Sequence, residues 1–404
     1  MVDADAIARV ARDSVLPRVR RTPMYTSASV SEAAGVADLH LKMENLQRTG
    51  SFKIRGATAR IAAMDAGERA RGVIAASAGN HAQGVALAAR DAGVGAVVVM
   101  PRTASNAKVQ ATIGYGAQVV LAGANFDEAV AVARERSAAT GAVFVSAYDD
   151  DHVIAGQGSL GIELLEDLPD VDTVLVPIGG GGLFAGVSTA VKAARPSCRV
   201  IGVQAAGADA AARSFRAGRL LEPSLPPDTI ADGIAIKAPS IRTFSYIRAN
   251  ADDVVTVSDA SIAEAILLLL TRMKVLVEPS GAASLAALIE HPGIAVGRTA
   301  CLLCGGNLDV KLLSDIIERG MVRSGRYLHF RTDVADRPGG LAGLLDAVAD
   351  AGGNVMEVEH NRLDPEIAYG RTGVEVLVET RGSAHAAEIE RKLAGSGYHV
   401  RRYG

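Results

Sequence analysis

Tryptophan is absent from the 404 residues, and aromatic residues make up only 4% of them. A core of this size must therefore be built from aliphatic side chains. Cysteine occurs three times, at Cys198, Cys301 and Cys304, too few for a disulfide framework. Apolar runs such as Ala265 to Leu270 are too short to span a bilayer. The N-terminal segment carries Asp3, Asp5, Arg9 and Arg12 in place of an apolar signal-peptide core. Charge of either sign is not in excess: the formal net charge is −3 and the pI about 6.3. No electrostatic footprint for nucleic acid or a membrane surface follows from it. A soluble cytoplasmic protein of two or three domains is expected.

What is plentiful is glycine, 43 residues of it, and short apolar runs. Val73–Ala76, Val97–Met100, Val119–Leu121, Val143–Val145, Val174–Ile178, Val200–Val203 and Ala300–Leu303 alternate with longer helical patterns. Continuous β-branched runs between helices predict parallel strands covered on both faces. The class is α/β with right-handed crossovers and open sheets. Near Glu318 to Arg326 the composition turns charged and the pattern changes. A strand at Tyr327 to Val334, a turn at Asp336-Arg337-Pro338-Gly339 and a helix with Leu341, Leu344, Leu345 and Val348 on one face follow. Gly352-Gly353 closes that helix. A strand from Val355, a strand with Val374, Val376 and Val378 on one face, a helix over 384–393 and a strand at 398–400 complete βαββαβ. The expected domains are 1–322, with a smaller subdomain at about 50–150, a linker at 323–326, and a small tail at 327–404.

Three strand ends carry loops suited to ligands: Ser77-Ala78-Gly79-Asn80-His81, the tetraglycine Gly179-Gly180-Gly181-Gly182, and Cys304-Gly305-Gly306-Asn307. In open α/β sheets ligands sit beyond the carboxyl ends of strands, so the loops can face one crevice. Backbone N–H groups at a helix start suit a phosphate, and the lack of Cβ lets the anion approach closely. The tetraglycine equally fits the dinucleotide pattern through Gly180, Gly182 and Ala185, although Gln204 stands where that pattern wants an acid. Serine and asparagine at 77–80 also suit a plain helix cap. Lys53, between Phe52 and the apolar stretch Ile54, Ala57 and Ile61, is placed for partial burial, which would lower its pKa and raise its nucleophilicity. Cys301 and Cys304 are separated by an odd step along a strand and have no second pair, so no metal site is expected.

In combination these segments resemble the threonine/serine dehydratase family of fold-type II pyridoxal-phosphate (PLP) enzymes, over roughly residues 10 to 320. The segments concerned are Ser51-Phe52-Lys53-Ile54-Arg55-Gly56-Ala57, Ser77 to Gly84, Pro177 to Leu183, Thr229 to Gly233, and Val277-Glu278-Pro279-Ser280-Gly281. The resemblance implies a two-domain fold like that of the tryptophan synthase β chain. It implies that Lys53 holds PLP as a Schiff base, Phe52 and Gly233 lie on the two ring faces, and Asn80 meets the phenolic oxygen. Gly179, Gly180, Gly181 and Gly182 would take the phosphate, and Cys304 would sit beside the pyridine nitrogen. Ser77, Ala78, Gly79, Asn80 and His81 would frame the substrate carboxylate. A neutral thiol at Cys304 would make a weaker electron sink than an aspartate there.

The implied reaction is elimination and deamination of L-threonine to 2-oxobutanoate and ammonia, and of L-serine to pyruvate. It would be a first step of isoleucine biosynthesis or of threonine breakdown. The family's racemases carry a serine at the position of Ala78, and its cysteine-synthase relatives a threonine at that of His81, which disfavours racemisation and β-replacement. A non-catalytic amino-acid sensor would not need Lys53 or the tetraglycine. The tail resembles an ACT regulatory domain, which implies a homodimer or homotetramer. A branched-chain amino acid such as isoleucine would bind near Asp336, Pro338, Gly339, Gly340 and Asn354.

Overall fold

The structure is a computed structural model that describes residues 1–223, 226–362 and 367–403. It divides into two compact units, Met1–Leu308 and Asp309–Gly404. The division falls ahead of the 323–326 linker read from composition, because the charged segment there is helical: a helix spans Val310–Arg323 with its N-cap at Asp309. No described helix is long and apolar enough to cross a membrane.

The first unit holds ten strands among its described residues. They are β1 (Met24–Tyr25), β2 (Leu39–Lys42), β3 (Val73–Ala76), β4 (Ala96–Met100), β5 (Gln118–Leu121), β6 (Val143–Phe144), β7 (Thr173–Pro177), β8 (Arg199–Ala205), β9 (Asp253–Val257) and β10 (Thr299–Leu302). Two sheets result, in the orders β1-β2-β10-β7-β8-β9 and β5-β4-β3-β6. Every pairing is parallel except β1 with β2. Burial explains why the runs are apolar throughout: Val174, Leu175 and Val176 in β7, and Ala300, Cys301 and Leu302 in β10, are all buried. Helices cover the larger sheet closely, and small residues allow it. A Cβ on Gly186, in the helix Gly182–Ala194, would lie 2.3 Å from the Ile154 carbonyl oxygen of the helix Asp151–Asp167.

Below the lysine-bearing helix Lys53–Ala62 lies a buried ionic cluster with no hydropathy signature. The Arg55 guanidinium donates to both Glu44 carboxylate oxygens at 2.8 and 2.7 Å and to Glu163 at 2.8 Å. Lys42 donates to Glu163 at 2.9 Å and to Asp167 at 2.7 Å. Arg55, Lys42, Glu44 and Glu163 are fully buried. Removing one partner of such a cluster strands charge in a medium that solvates it poorly. Arg55→Met is therefore expected to destabilise the unit by about 3–5 kcal/mol. Urea unfolding checks this, and an unchanged midpoint would show that Glu44 and Glu163 find other donors.

The second unit contains β11 (Tyr327–Ala335), β12 (Asn354–Asn361), β13 (Arg371–Glu379) and β14 (Arg401–Arg402), all antiparallel, in the order β12-β13-β11-β14. Helices Gly340–Asp350 and Ser383–Gly395 complete βαββαβ. Val374, Val376 and Val378 are buried against Leu344, Val348, Ile389 and Leu393. The last strand lies at 401–402, not at the apolar 398–400: Tyr398 and Val400 pack on the core as side chains while Arg401 and Arg402 make the backbone pairing. The expected span 327–404 includes residues 363–366 and 404, which lie outside the described residues.

Candidate active site

Several segments of the first unit meet around a cavity of about 340 Å³. The strand β3 delivers Ser77, Ala78 and Gly79 to its wall, and the helix Asn80–Asp91 opens there with Asn80 and His81. Strand β7 delivers Gly179 to Gly182, and the chain beyond β10 delivers Cys304 and Asn307. Phe52 and Lys53 enter from the start of their helix, and Asp232, Gly233 and Ile234 from a single 3-10 turn. All the cavity residues expected from sequence line this space. Their convergence follows from parallel strands whose carboxyl ends face one side.

Lys53 extends its amine over the Phe52 ring, 5.2 Å from the centroid, and donates to the Ala147 carbonyl at 3.1 Å. Burial pulls the amine down to about 8, while Glu278 and Cys304 hold it from falling further. The buried His81 ring meets the Val145 carbonyl oxygen at 2.9 Å. Burial, with Lys53 adding to it, pushes the imidazole down to about 3, so it is neutral. His81 thus offers an anion its backbone N–H and no charge. Burial raises the Cys304 thiol well above its usual range, and its Sγ lies 3.6 Å from the Leu302 carbonyl oxygen. All three cysteines are free and buried.

The tetraglycine is shaped by its neighbours. Gly181 has φ +89 and caps the helix Gly182–Ala194. A Cβ on Gly180 would lie 2.3 Å from the Tyr148 ring, and one on Gly179 3.0 Å from the Cα of Ile234. Gln204, where a dinucleotide site would place its acid, instead accepts the Ala212 N–H at 2.8 Å. It caps a neighbouring helix and takes no part in the cavity.

Among the cavity residues with no role assigned from sequence are Tyr148, Glu278 and Asn307. Glu278 precedes Pro279 at a helix start but makes no side-chain cap there. Its carboxylate accepts from the Asn80 side-chain nitrogen at 2.6 Å. Burial, with Asp232 reinforcing it, pushes its pKa up to about 7. An acid at a helix N-terminus reads as an ordinary favourable placement, so the segment Val277 to Gly281 stood out while the role of its acid did not.

Residues 15–305 match the family model described as pyridoxal-phosphate dependent enzyme. The chain belongs to this family. It is 48% identical over 386 residues to the L-threonine ammonia-lyase of Thermotoga maritima, an alignment covering 96% of each chain. Among solved structures it resembles the threonine deaminase of T.th., with a TM-score of 0.72 and 43% identity, covering 76% of this chain and 99% of that one. Maize serine racemase gives a TM-score of 0.74 at 36% identity, covering 80% and 98%. The fold is that of a fold-type II PLP enzyme, with parallel sheets flanked by helices and a C-terminal sheet unit.

The cavity fits the family's cofactor on its own chemistry. It holds a buried primary amine of lowered pKa, and a glycine loop at a helix start where any Cβ would collide. It also holds a buried hydroxyl, Ser280 Oγ, with no hydrogen-bond partner in the protein. A buried polar atom left unpaired calls for a polar ligand.

In the second unit Asp336, Pro338 and Gly339 form the turn after β11, and Gly340 opens the following helix. Asp336 pairs with Arg362 at 3.2 Å. Asn354, which donates to Glu379 at 3.1 Å, stands at the other end of the sheet. Asn354 pairs across Glu379 to Tyr327, whereas Ala335 pairs with Arg371. Eight strand steps, roughly 26 Å, separate the two ends. A single copy therefore does not bring Asn354 to the 336–340 turn.

Proposed function

We propose that this chain is a threonine ammonia-lyase, converting L-threonine to 2-oxobutanoate and ammonia and L-serine to pyruvate. The observation that carries the reading is the Lys53 amine, pulled to about 8 and opposed across one cavity by a glycine cradle. When bound, PLP supplies the electron sink that lets a substrate Cα–H bond break. Lys53 would hold the cofactor through its aldehyde and, with its amine free, would take the Cα proton on Nζ as general base. Gly179 to Gly182 seat the phosphate. Phe52 and Gly233 would bound the ring, and Asn80 would donate to its phenolic oxygen. The neutral Cys304 thiol, placed beside the ring nitrogen, would provide no ionic partner, so the sink would be moderate and prompt loss of the β-hydroxyl favoured. Ser77, Gly79 and the first N–H groups of the helix Asn80–Asp91 receive the substrate carboxylate.

Serine racemisation is the second reading, on the likeness to maize serine racemase. It requires a proton donor on the face opposite Lys53, at Ala78, and a methyl group holds no exchangeable proton. The direct test follows 2-oxo acid formation from L-threonine and L-serine by protein saturated with PLP, together with the visible band of the bound cofactor. Oxo acid with the band supports the lyase. The band with D-serine and no oxo acid would replace it with the racemase.

The βαββαβ unit acts, in this proposal, as an ACT-type regulatory domain binding a branched-chain amino acid, with isoleucine the first candidate. Asp336, Pro338, Gly339 and Gly340 of one copy would form the site with the second strand of another. The separation of Asn354 from the turn within one copy supports a shared site and a homodimer or homotetramer. A soluble cytoplasmic enzyme at the entry to isoleucine biosynthesis, or in threonine breakdown, accords with this regulation. Deleting residues 326–404 is expected to abolish any response of turnover to isoleucine while basal turnover persists, as initial-rate assays with and without isoleucine would show. A truncated chain that still responds would place the effector elsewhere.

A further inference from the structure

Asn80 can perform its proposed task only if its amide points one way, since its nitrogen donates and its oxygen does not. The hydrogen-bond chain around it fixes that direction without appeal to the cofactor. It begins at the Thr49 backbone carbonyl, which can only accept. The Asn307 side chain contacts that oxygen at 2.7 Å, so the atom it presents there must be its nitrogen. The same nitrogen lies 2.7 Å from the Asn80 side chain and brings its second hydrogen. Asn80 must therefore present Oδ1 to Asn307. Its Nδ2 is then left facing Glu278 at 2.6 Å, with one hydrogen for the carboxylate and the other for the cavity.

The backbone is bent to begin this chain. Thr49 has φ 62, one of two non-glycine residues with positive φ among the described residues, a conformation that costs a residue carrying a Cβ. Gly50 follows at φ 71, where a Cβ would lie 2.6 Å from the Asn307 side-chain oxygen. The segment is clasped to the loop that carries Asn307: Gly306 N–H donates to the Gly50 carbonyl at 2.8 Å, and Phe52 N–H to the Cys304 carbonyl at 3.1 Å. Gly305 leaves room for the far end, since a Cβ there would lie 2.3 Å from the Glu278 carboxylate. Strain of this kind persists where surrounding contacts over-determine it, and it marks functional ground.

We infer that Asn307 is a positioning residue that, held by the strained Thr49 carbonyl, locks the Asn80 amide with its N–H toward the cofactor's phenolic oxygen. This rests on the proposed function, because it assumes PLP attached to Lys53. A donor at the phenolic oxygen stabilises negative charge there. It therefore lowers the pH at which the proton shared between the lysine nitrogen and that oxygen is lost.

The test titrates the visible band of the PLP-loaded protein against pH for wild type, Asn80→Ala, Asn307→Ala and the double variant. Glu278, Cys304 and His81, the other groups facing Lys53, are unsubstituted in all four, and Glu278 loses its Asn80 donor equally in the two variants that carry Asn80→Ala. Asn307→Ala is expected to raise the midpoint by about one pH unit, a roughly tenfold change in the protonation equilibrium. In the Asn80→Ala background the same substitution is expected to add nothing, because the amide it orients is gone. Asn307→Asp, which keeps the shape and removes both hydrogens, guards against a collapsed loop and is expected to match or exceed the alanine shift. An unmoved midpoint in Asn307→Ala and Asn307→Asp, or an equal shift in the Asn80→Ala background, would overturn the inference. A wild type that shows no cofactor band would instead overturn the function on which it rests.

Discussion

Lys53→Ala is expected to yield a folded protein that binds PLP without a covalent bond and forms no 2-oxo acid above background. The size of the effect follows from the two tasks that converge on one nitrogen. As nucleophile toward an aldehyde, an amine reacts in its neutral form. With a pKa of about 8, roughly one Lys53 in ten is neutral at pH 7, against fewer than about one in a thousand for an ordinary lysine. As the proposed general base, the same nitrogen would remove the Cα proton, a contribution of about 10²–10⁴-fold on its own. Among the described residues no other lysine borders the deep end of the cavity: Lys108, the other lysine on its wall, is engaged with Asp232 at 3.1 Å. Stability should hold, because the Lys53 amine donates only to a carbonyl in the cavity wall. The measurement is borohydride reduction followed by mass analysis of the intact protein, with turnover assayed in parallel. Retention of ordinary turnover would remove Lys53 from the chemistry. In the unsubstituted chain, freed of cofactor, the rate of PLP attachment should climb with pH and level off above about 8, since the neutral amine is the reactive form and burial sets its midpoint.

How much of this was legible in the sequence depended on whether a residue's role was local. The parallel strands were visible because β7 and β10 are buried on both faces and so are apolar at nearly every position. Strand β2 was not, because Leu39-His40-Leu41-Lys42 ends in a lysine, and lysine reads as surface. Lys42 is in fact fully buried, made tolerable by Glu163 and Asp167, more than a hundred residues away. Strand β9 escaped notice for a related reason: Asp253 and Thr256 break the apolar run. The glycine loops announced themselves because strand, loop and helix are contiguous. The individual roles of Glu278 and Asn307 did not, though both lie in segments singled out from sequence, because their meaning lies in Asn80, 198 and 227 residues distant in sequence. Tyr148 carried no local signal at all. Its ring is read as part of the site only because a glycine far along the chain, Gly180, has no room for a methyl group.

That ring makes Gly180→Ala the second large effect, on cofactor affinity and not on the proton transfers. The added methyl would need space 2.3 Å from the Tyr148 ring, well inside van der Waals contact. Either the ring or the loop must give way. The loop is restrained on both sides, since Cβ positions at Gly179 and Gly181 already approach Ile234 and Thr243 to 3.0 and 2.9 Å. The Tyr148 ring is half-buried, so the expected compromise is a displaced ring and a loop whose N–H groups no longer converge. Overpacking of this kind costs about 1–3 kcal/mol. Charged in full against binding, it weakens PLP affinity by roughly 10–100-fold, measured by titrating cofactor-free protein and following the visible band. The steric cause has its own signature. Tyr148→Ala removes the colliding ring, so Gly180→Ala in that background should weaken binding no further. If the two substitutions simply added, the damage would lie in the loop backbone and not in the space above it. Were Gly180→Ala to bind PLP as tightly as the unsubstituted chain, the tetraglycine would lose its claim to the phosphate.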